Sequence, residues 1–208
     1  MNKRIEKIAS YISSKDKVAD IGCDQALLSE VLAKKEISSV ASDIKENIIL
    51  SAKKRLGNTS LDKYISFVVG DGIEKINDSI DTLVLSGMGT YTILKILSKS
   101  GKQYKKIITI SNNNHDILRK EMIKLNYKVD KEEIIYEKNK YYNLIIFIPG
   151  TLKYTKEEIL IGKNHQNLKL LKSKLKVDLE KYKKIYKLSN DNNILNVINI
   201  IEKMLKNC

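Results

Sequence analysis

Asp20, Gly22 and Asp24 fall within five residues of one another in VADIGCDQ (18–25), where a short apolar run passes into a tight turn. A turn of this kind between a strand and a helix presents backbone N–H groups to the anionic or zwitterionic end of a ligand. Gly22 permits close backbone approach or a positive φ. About twenty residues further on, a second apolar stretch ends in another acid, Asp43 of SVASD, placed to take a ribose diol. Two more strand-like runs end in Gly70-Asp71-Gly72 and in Ser86-Gly87-Met88-Gly89. Asp71, a carboxylate between two glycines, is a candidate acceptor for an adenine amino group.

The full dinucleotide fingerprint is missing, because Asp24 stands where a second glycine would be, and no phosphate-cradling glycine run is present. A carboxylate aimed at the turn repels a pyrophosphate and suits a cation. S-adenosylmethionine, with its sulfonium and amino group, is the common cofactor that fits. Taken singly, each feature has an ordinary explanation, since an Asp at a strand end is often an N-cap and a glycine often only makes a turn. Four in register, one per βα unit, point to a nucleoside site. Cys23 lies in the same turn, where a small side chain explains it more simply than a nucleophilic role does. Cys23 and Cys208 are too few and too far apart for a metal knuckle, and no disulfide is assigned. His115 and His165 lack a nucleophile or metal partner and read as incidental, so no metal is expected.

The elements that would carry these residues follow from periodicity. Strands are expected near 17–21, 40–43, 65–69, 82–86 and 107–111, with helices over 26–34, 46–56, 91–98 and 116–125. Runs at 128–136 and 143–149 leave no room for a helix between them and predict an antiparallel edge hairpin turning at 137–140. The result is an α/β fold with a mostly parallel, Rossmann-like sheet covered on both faces. Pro149-Gly150 contains the chain's single proline and marks a break, dividing the chain into 1–150 and 151–208. Beyond it Leu168, Leu171, Leu175, Leu179 and Tyr182 recur at helical spacing. After a polar interruption at 189–193, so do Ile194, Val197, Ile201 and Met204. Two amphipathic helices with a short loop predict an antiparallel helical hairpin, coiled-coil-like in pattern.

No apolar run reaches the roughly 18 residues needed to span a bilayer. The opening MNKRIEKIASYI alternates charge with apolar residues, as an amphipathic helix does and a secretion signal does not, so a cytoplasmic protein is expected. Net charge is +13. The last 58 residues hold 13 lysines against six acids, a net of +7, whereas the first 150 carry +6. A Lys-, Ile- and Asn-rich composition alone drifts basic, yet this concentration in the tail favours a basic face. The lysines of 169–184 lie mostly off the apolar stripe, as either a solvated face or an RNA contact.

VADIGCDQALL, ASDIKENIILSAKK, VVGDGIE and LSGMGTYTILKIL, in that order and spacing, resemble the successive motifs of the bacterial tRNA (adenine-22-N1)-methyltransferase family. That family shows a DIG-x-DHA turn, an acid after the second strand, a GDGL segment and an AGMGG segment. The likeness extends over nearly all of the first 150 residues, and the two-helix tail is similar to the family's C-terminal helical domain. GMG after the fourth strand discriminates best. The resemblance implies a class I methyltransferase fold, S-adenosylmethionine as methyl donor, and the N1 nitrogen of an adenine near the tRNA D-arm as acceptor. It implies that Asp20, Gly22, Asp43, Asp71 and Gly87 line the cofactor pocket, with Ser42 and Ile44 flanking the ribose and adenine. Cys23, Gly70, Gly72, Ser86 and Met88 adjoin them. The chain departs from the pattern at Gln25 (a His in the family), at Thr90 (the second Gly of AGMGG) and at Ile110-Ser111-Asn112 (a QPN-like segment). Losing the proline removes rigidity from a segment expected to grip the target base.

Methylation at N1 needs no covalent intermediate, because the nitrogen has an in-plane lone pair and in-line placement supplies much of the catalysis. Asp24 is the expected stabiliser of the cationic product, and Asn112 the expected acceptor for the exocyclic amine. A flipped base would need an apolar or aromatic wall, for which Met88 and Tyr91 are candidates if they are not core. Two other readings stay open: a methyltransferase acting on another RNA or a small amine, and a non-catalytic RNA-binding relative. A monomer is expected.

Overall fold

The computed structural model describes residues 2–207, so Cys208 lies outside the described residues. Seven strands form one sheet: β1 (Val18–Ile21), β2 (Ser39–Asp43), β3 (Ile65–Val69), β4 (Thr82–Met88), β5 (Lys106–Ser111), β6 (Tyr127–Glu137) and β7 (Lys140–Pro149). Their order is β3-β2-β1-β4-β5-β7-β6. The first five run parallel, and β7 pairs antiparallel with both β5 and β6. The order reverses direction between β1 and β4, which leaves a crevice beyond their carboxyl ends.

The helices are α1 (Lys3–Ser10), α2 (Leu27–Ala33), α3 (Glu46–Leu56), α4 (Thr90–Ser98), α5 (His115–Lys124), α6 (Lys156–Ile161), α7 (Leu168–Ser189) and α8 (Asn192–Asn207). Alternate residues of the strands serve opposite faces, as the pleat requires. Leu83, Leu85, Ile107 and Phe147 pack with Ile93 and Leu97 of α4 and Leu118 and Met122 of α5. Val84, Ile108, Ile110 and Ile146 pack with Ile8 of α1 and Leu28 and Leu32 of α2. A third cluster joins α3 to the β2–β3 side through Ile49, Ala52, Leu56, Ala41 and Ile65. Burial on both faces is why these strands read as continuous apolar runs rather than alternating ones.

The mostly parallel sheet with its antiparallel edge hairpin agrees with the expectation. The hairpin turns at 137–140 as expected, with Glu137 and Lys140 as the closing pair and Lys138 and Asn139 as the two central residues, at φ 48 and 60. Both lie in the left-handed region that matches strand twist. Tyr136 and Tyr141 then face each other across the ladder with ring centroids 4.7 Å apart. α7 and α8 pack through Leu171, Leu175, Leu179 and Tyr182 against Val197, Ile201 and Met204, and Lys183 pairs with Glu202 at 2.8 Å. This hairpin also covers Ile134 of β6.

α6 carries no expectation from the sequence analysis. Its start is a capping box, with Thr155 accepting from the Glu158 amide and Glu158 accepting from the Thr155 amide. Its end is held by Arg119, which is fully buried and donates to the Ile159 carbonyl at 2.9 Å and the Ile161 carbonyl at 3.4 Å. The same guanidinium forks onto Glu132 at 2.8 and 2.5 Å. Glu132 also accepts from the Lys163 amide at 3.0 Å. No helix of the described residues is long and apolar enough to cross a membrane.

Candidate active site

A cleft of about 590 Å³ opens at the carboxyl ends of β1 and β4. Its lining brings together Asp20, Gly22, Cys23, Asp24, Asp43, Ile44, Gly70, Asp71, Gly72, Ser86, Gly87 and Met88, drawn from four strand ends. The parallel register explains the convergence: Ile21 pairs with Ser42 and with Leu85, so the turns after β1, β2 and β4 emerge side by side.

Gly22 has φ 71, and a Cβ there would fall on the Met88 methyl. Only glycine fits both constraints. Gly87, at φ 81, sits out of the β4–β5 register, with Ser86 opposite Ile110 and Met88 opposite Ser111. The resulting bulge re-aims the chain beside the cleft, a common use of bulges near functional sites. It brings Met88 over the Gly22 turn, while Tyr91 is 63% exposed on the first turn of α4. Met88 therefore lines the cleft, and Tyr91 is not core.

The first turn differs from the expectation in its amides. Gly22 and Cys23 both donate to the Ser42 carbonyl, at 2.8 and 3.0 Å, and Ala26 donates to the Cys23 carbonyl at 2.8 Å. Those groups brace the turn. Among the described residues, the Asp24 and Gln25 amides enter no backbone hydrogen bond and are the ones left to meet a ligand. Asp24 and Ala26 take left-handed backbone angles, φ 49 and 52. Arg55 of α3 supports this turn from outside by donating to the Gln25 carbonyl at 2.7 Å while pairing with Glu30.

Electrostatically the cleft is acidic. Asp20 is buried, and its carboxyl makes no hydrogen bond among the described residues. Burial, and then the neighbouring Asp43 charge, push its pKa up to about 7. Asp43 receives the Lys45 amide at 3.0 Å, which fixes its side chain at the end of β2. Asp71 is half-exposed and pairs with Lys99 at 2.7 Å, and that ammonium holds its carboxyl below the usual carboxylate range. Burial and the charges of Asp20 and Asp43 push the Cys23 thiol up to about 12, so it stays protonated and unreactive at neutral pH.

Two expected residues do not line the cleft. Ser42 is buried and its hydroxyl has no hydrogen-bond partner among the described residues, so its contribution is the carbonyl that anchors the first turn. Asn112 is exposed at the end of β5; its side-chain amide donates to the Gly87 carbonyl at 2.9 Å, leaving its oxygen as an unused acceptor at the rim. Neither histidine reaches the site. His115 bonds the Ser111 carbonyl at 3.2 Å, and burial with the Arg119 and Lys174 charges brings its pKa down to about 4. His165 bonds the Ile161 carbonyl at the α6 joint.

Other lining residues went unforeseen: Asn2, Arg4 and Ile5 at the start of α1, and Ile48, Thr92 and Ile96 on α3 and α4. α1 is docked by Glu137, which accepts from the Lys3 amide at 2.6 Å and from Arg4 at 2.8 Å. Arg4 also lies over the Tyr142 ring, 4.4 Å from its centroid. Glu137 is more than 130 residues away, so nothing local signals this contact.

These features fit S-adenosylmethionine. Four carboxylates and a glycine turn suit a cationic nucleoside and oppose a pyrophosphate. The unpartnered Asp20 carboxyl is a buried group that a donor or cation would satisfy. Among the described residues no cluster of ligating side chains could hold a metal ion.

A family model described as a methyltransferase domain matches residues 1–145. The chain is 32% identical over 157 residues to the tRNA (adenine(22)-N(1))-methyltransferase of Bacillus subtilis (strain 168), covering 72% of this chain and 66% of that protein. It is 28% identical to an uncharacterized protein from Listeria monocytogenes serotype 4b, whose structure superposes with a TM-score of 0.89 over 99% of both chains. The M. capricolum TrmK structure in complex with S-adenosyl-homocysteine, its natural cofactor product, is also 28% identical, with a TM-score of 0.88 over 99% of this chain and 98% of that one.

Proposed function

The chain belongs to the methyltransferase-domain family, and from that premise we propose that it transfers a methyl group from S-adenosylmethionine to the N1 nitrogen of adenine 22 in tRNA. The observation that carries this reading is the convergence of four strand ends, bearing acids, glycines or both, on one acidic cleft, in the motif order of that methyltransferase family.

Bound there, S-adenosylmethionine supplies a methyl group on a cationic sulfur that a nitrogen lone pair can attack. The residues divide the remaining work. Asp43 takes the ribose hydroxyls, Ile44 offers an apolar face to the adenine, and the free Asp71 oxygen accepts from its amino group. Asp20 and the Asp24 and Gln25 amides meet the charged end. Gly22, Gly87 and the Met88 side chain set how closely the target ring approaches. Asn112 accepts from the exocyclic amine of the target and orients it for in-line attack.

As the new C–N bond forms and the C–S bond breaks, positive charge passes to the purine. No proton leaves the nitrogen, so no general base is needed, and Gln25 in place of the family's histidine is compatible with the reaction. Asp24 lies at the rim, where a carboxylate stabilises the developing charge. Lys169, Lys176, Lys181, Lys184 and Lys187 of α7 are exposed and, among the described residues, make no ion pair, which suits them to the tRNA backbone. The protein acts as a cytoplasmic monomer in this reading.

The test is methyl transfer to unmodified tRNA transcripts with nucleoside mass spectrometry, run on the wild type and on Asp24→Ala. The expected outcome is 1-methyladenosine at position 22, with the rate lowered by about a hundredfold in the variant. Cofactor binding without methylation of any tRNA would overturn the substrate assignment.

A further inference from the structure

The segment expected to grip the target base, Ile110-Ser111-Asn112, runs on into Asn113 and Asn114, and Asn112-Asn113-Asn114 form the link between β5 and α5. All three residues are exposed and none is a proline, so their backbone entropy should leave the segment loose. The structure instead ties it to the neighbouring loop, Gly87–Thr90, at successive points. The Asn112 amide donates to the Met88 carbonyl at 2.9 Å, and its side chain donates to the Gly87 carbonyl. The last tie is reciprocal. The Thr90 hydroxyl donates to the Asn113 carbonyl at 2.6 Å and reaches the Asn114 carbonyl at 3.3 Å. In return, the Asn113 side-chain oxygen accepts the Thr90 amide at 3.3 Å.

That amide is the first of α4, one of the orphan donors of a helix start, and Gly89 before it has no side chain to cap it. Asn113 thus serves α4 from another loop, and Thr90 holds Asn113 in return. Thr90 is fully buried while Asn113 is exposed, so the exchange is part-buried and its Thr90 end lies out of water, where a satisfied hydrogen bond constrains geometry most. Ser111 adds a second hydroxyl on the same Asn113 carbonyl at 3.1 Å. Both hydroxyls stand where the family pattern has a glycine and a proline.

We propose that Thr90 and Asn113 are positioning residues for the target base. Their reciprocal hydrogen bonds, in place of a proline, fix the Asn112 loop against the cleft wall formed by Gly87 and Met88. Neither residue lines the cleft itself, so their effect passes through Asn112. This inference rests on the reading that Asn112 faces the base to be methylated.

The decisive variant is Thr90→Val, which keeps the shape and removes the hydroxyl, set beside Thr90→Ser, which keeps the hydroxyl. In the full-length protein, Thr90→Val should hold S-adenosylmethionine and tRNA within about twofold of wild type by calorimetry and gel shift. Its single-turnover methylation rate should fall about tenfold, the worth of one hydrogen bond. Amide hydrogen exchange at 112–115 should speed up in Thr90→Val, while Thr90→Ser should match wild type in every measurement. Asn113→Ala, at an exposed position that leaves the core intact, should show the same pattern at smaller amplitude and serves if Thr90→Val fails to fold.

A variant that exchanges and methylates like wild type overturns the proposal. So does one that loses rate only in step with cofactor affinity, because Thr90 then merely supports the cofactor cleft. Exchange is read without substrate, so a wild type that methylates no tRNA overturns the function proposed above, while the exchange comparison still decides whether this link holds the loop.

Discussion

A carboxyl group buried beside a second carboxylate resists ionisation, and Asp20 is in that position next to Asp43. Its pKa stands near 7 in the folded chain against a usual 3.8. The folded state therefore keeps a proton that the unfolded chain releases between about pH 4 and 7. Stability from this group falls as pH rises through that window. Above about 7 the buried charge is uncompensated until a cation meets it. Affinity for S-adenosylmethionine should accordingly rise with pH up to about 7, and calorimetric titration from pH 5.5 to 8 would show it. Asp20→Asn should bind more weakly, lose that rise, and melt at a higher temperature than wild type at pH 8. An unchanged pH profile in the variant would remove Asp20 from the role.

At the scale of elements, the joint between α5, β6 and α6 is the Arg119–Glu132 pair, with both side chains essentially excluded from water. A buried ion pair adds little over an apolar replacement, but breaking one partner leaves a charge and several carbonyls unpaired. Arg119→Ala should cost about 3–5 kcal/mol in urea unfolding. It should also speed proteolytic cleavage between Pro149 and Leu168, because the last turn of α6 loses its donors. A loss under 1 kcal/mol would mean the joint is held by the Ile134–Leu171–Leu175–Ile201 cluster instead. Gly87 belongs to the same scale. Its role is the bulge that turns the end of β4 toward β1, which an isolated glycine in the chain does not announce.

For the whole molecule, the excess positive charge has a location. Among the described residues, five exposed lysines of α7 carry no ion-pair partner, whereas Lys174 and Lys183 are spent on Asp178 and Glu202. If the free ones meet phosphates, tRNA affinity must depend steeply on salt. Replacing Lys176, Lys181 and Lys184 with alanine together should lower the slope of log affinity against log salt by about three and leave cofactor affinity unchanged. Filter-binding titrations between about 50 and 200 mM salt resolve a change of that size. An unaltered slope would return these lysines to a solvated face.

Sequence alone determined the alternation of strands and helices, the edge hairpin, the two tail helices, and the four strand ends bearing acids, glycines or both. Those signals are local: periodicity, turn formers and chain breaks act over a few residues, and a parallel sheet then has few ways to arrange them. Tertiary structure decided what depends on partners distant in the chain. Burial, and then Asp43, raise the Asp20 pKa, and the Gly22 and Cys23 amides are claimed by the Ser42 carbonyl. The start of α1 reaches the cleft through Glu137, Arg119 finds Glu132 and the end of α6, and Thr90 caps and is capped by Asn113. α6 escaped notice because six residues are too short for a periodic signal, though its capping box was present in the sequence. Each of these contacts was set by the crossovers that bring separate strand ends together, and burial there decides which charges and hydrogen bonds matter.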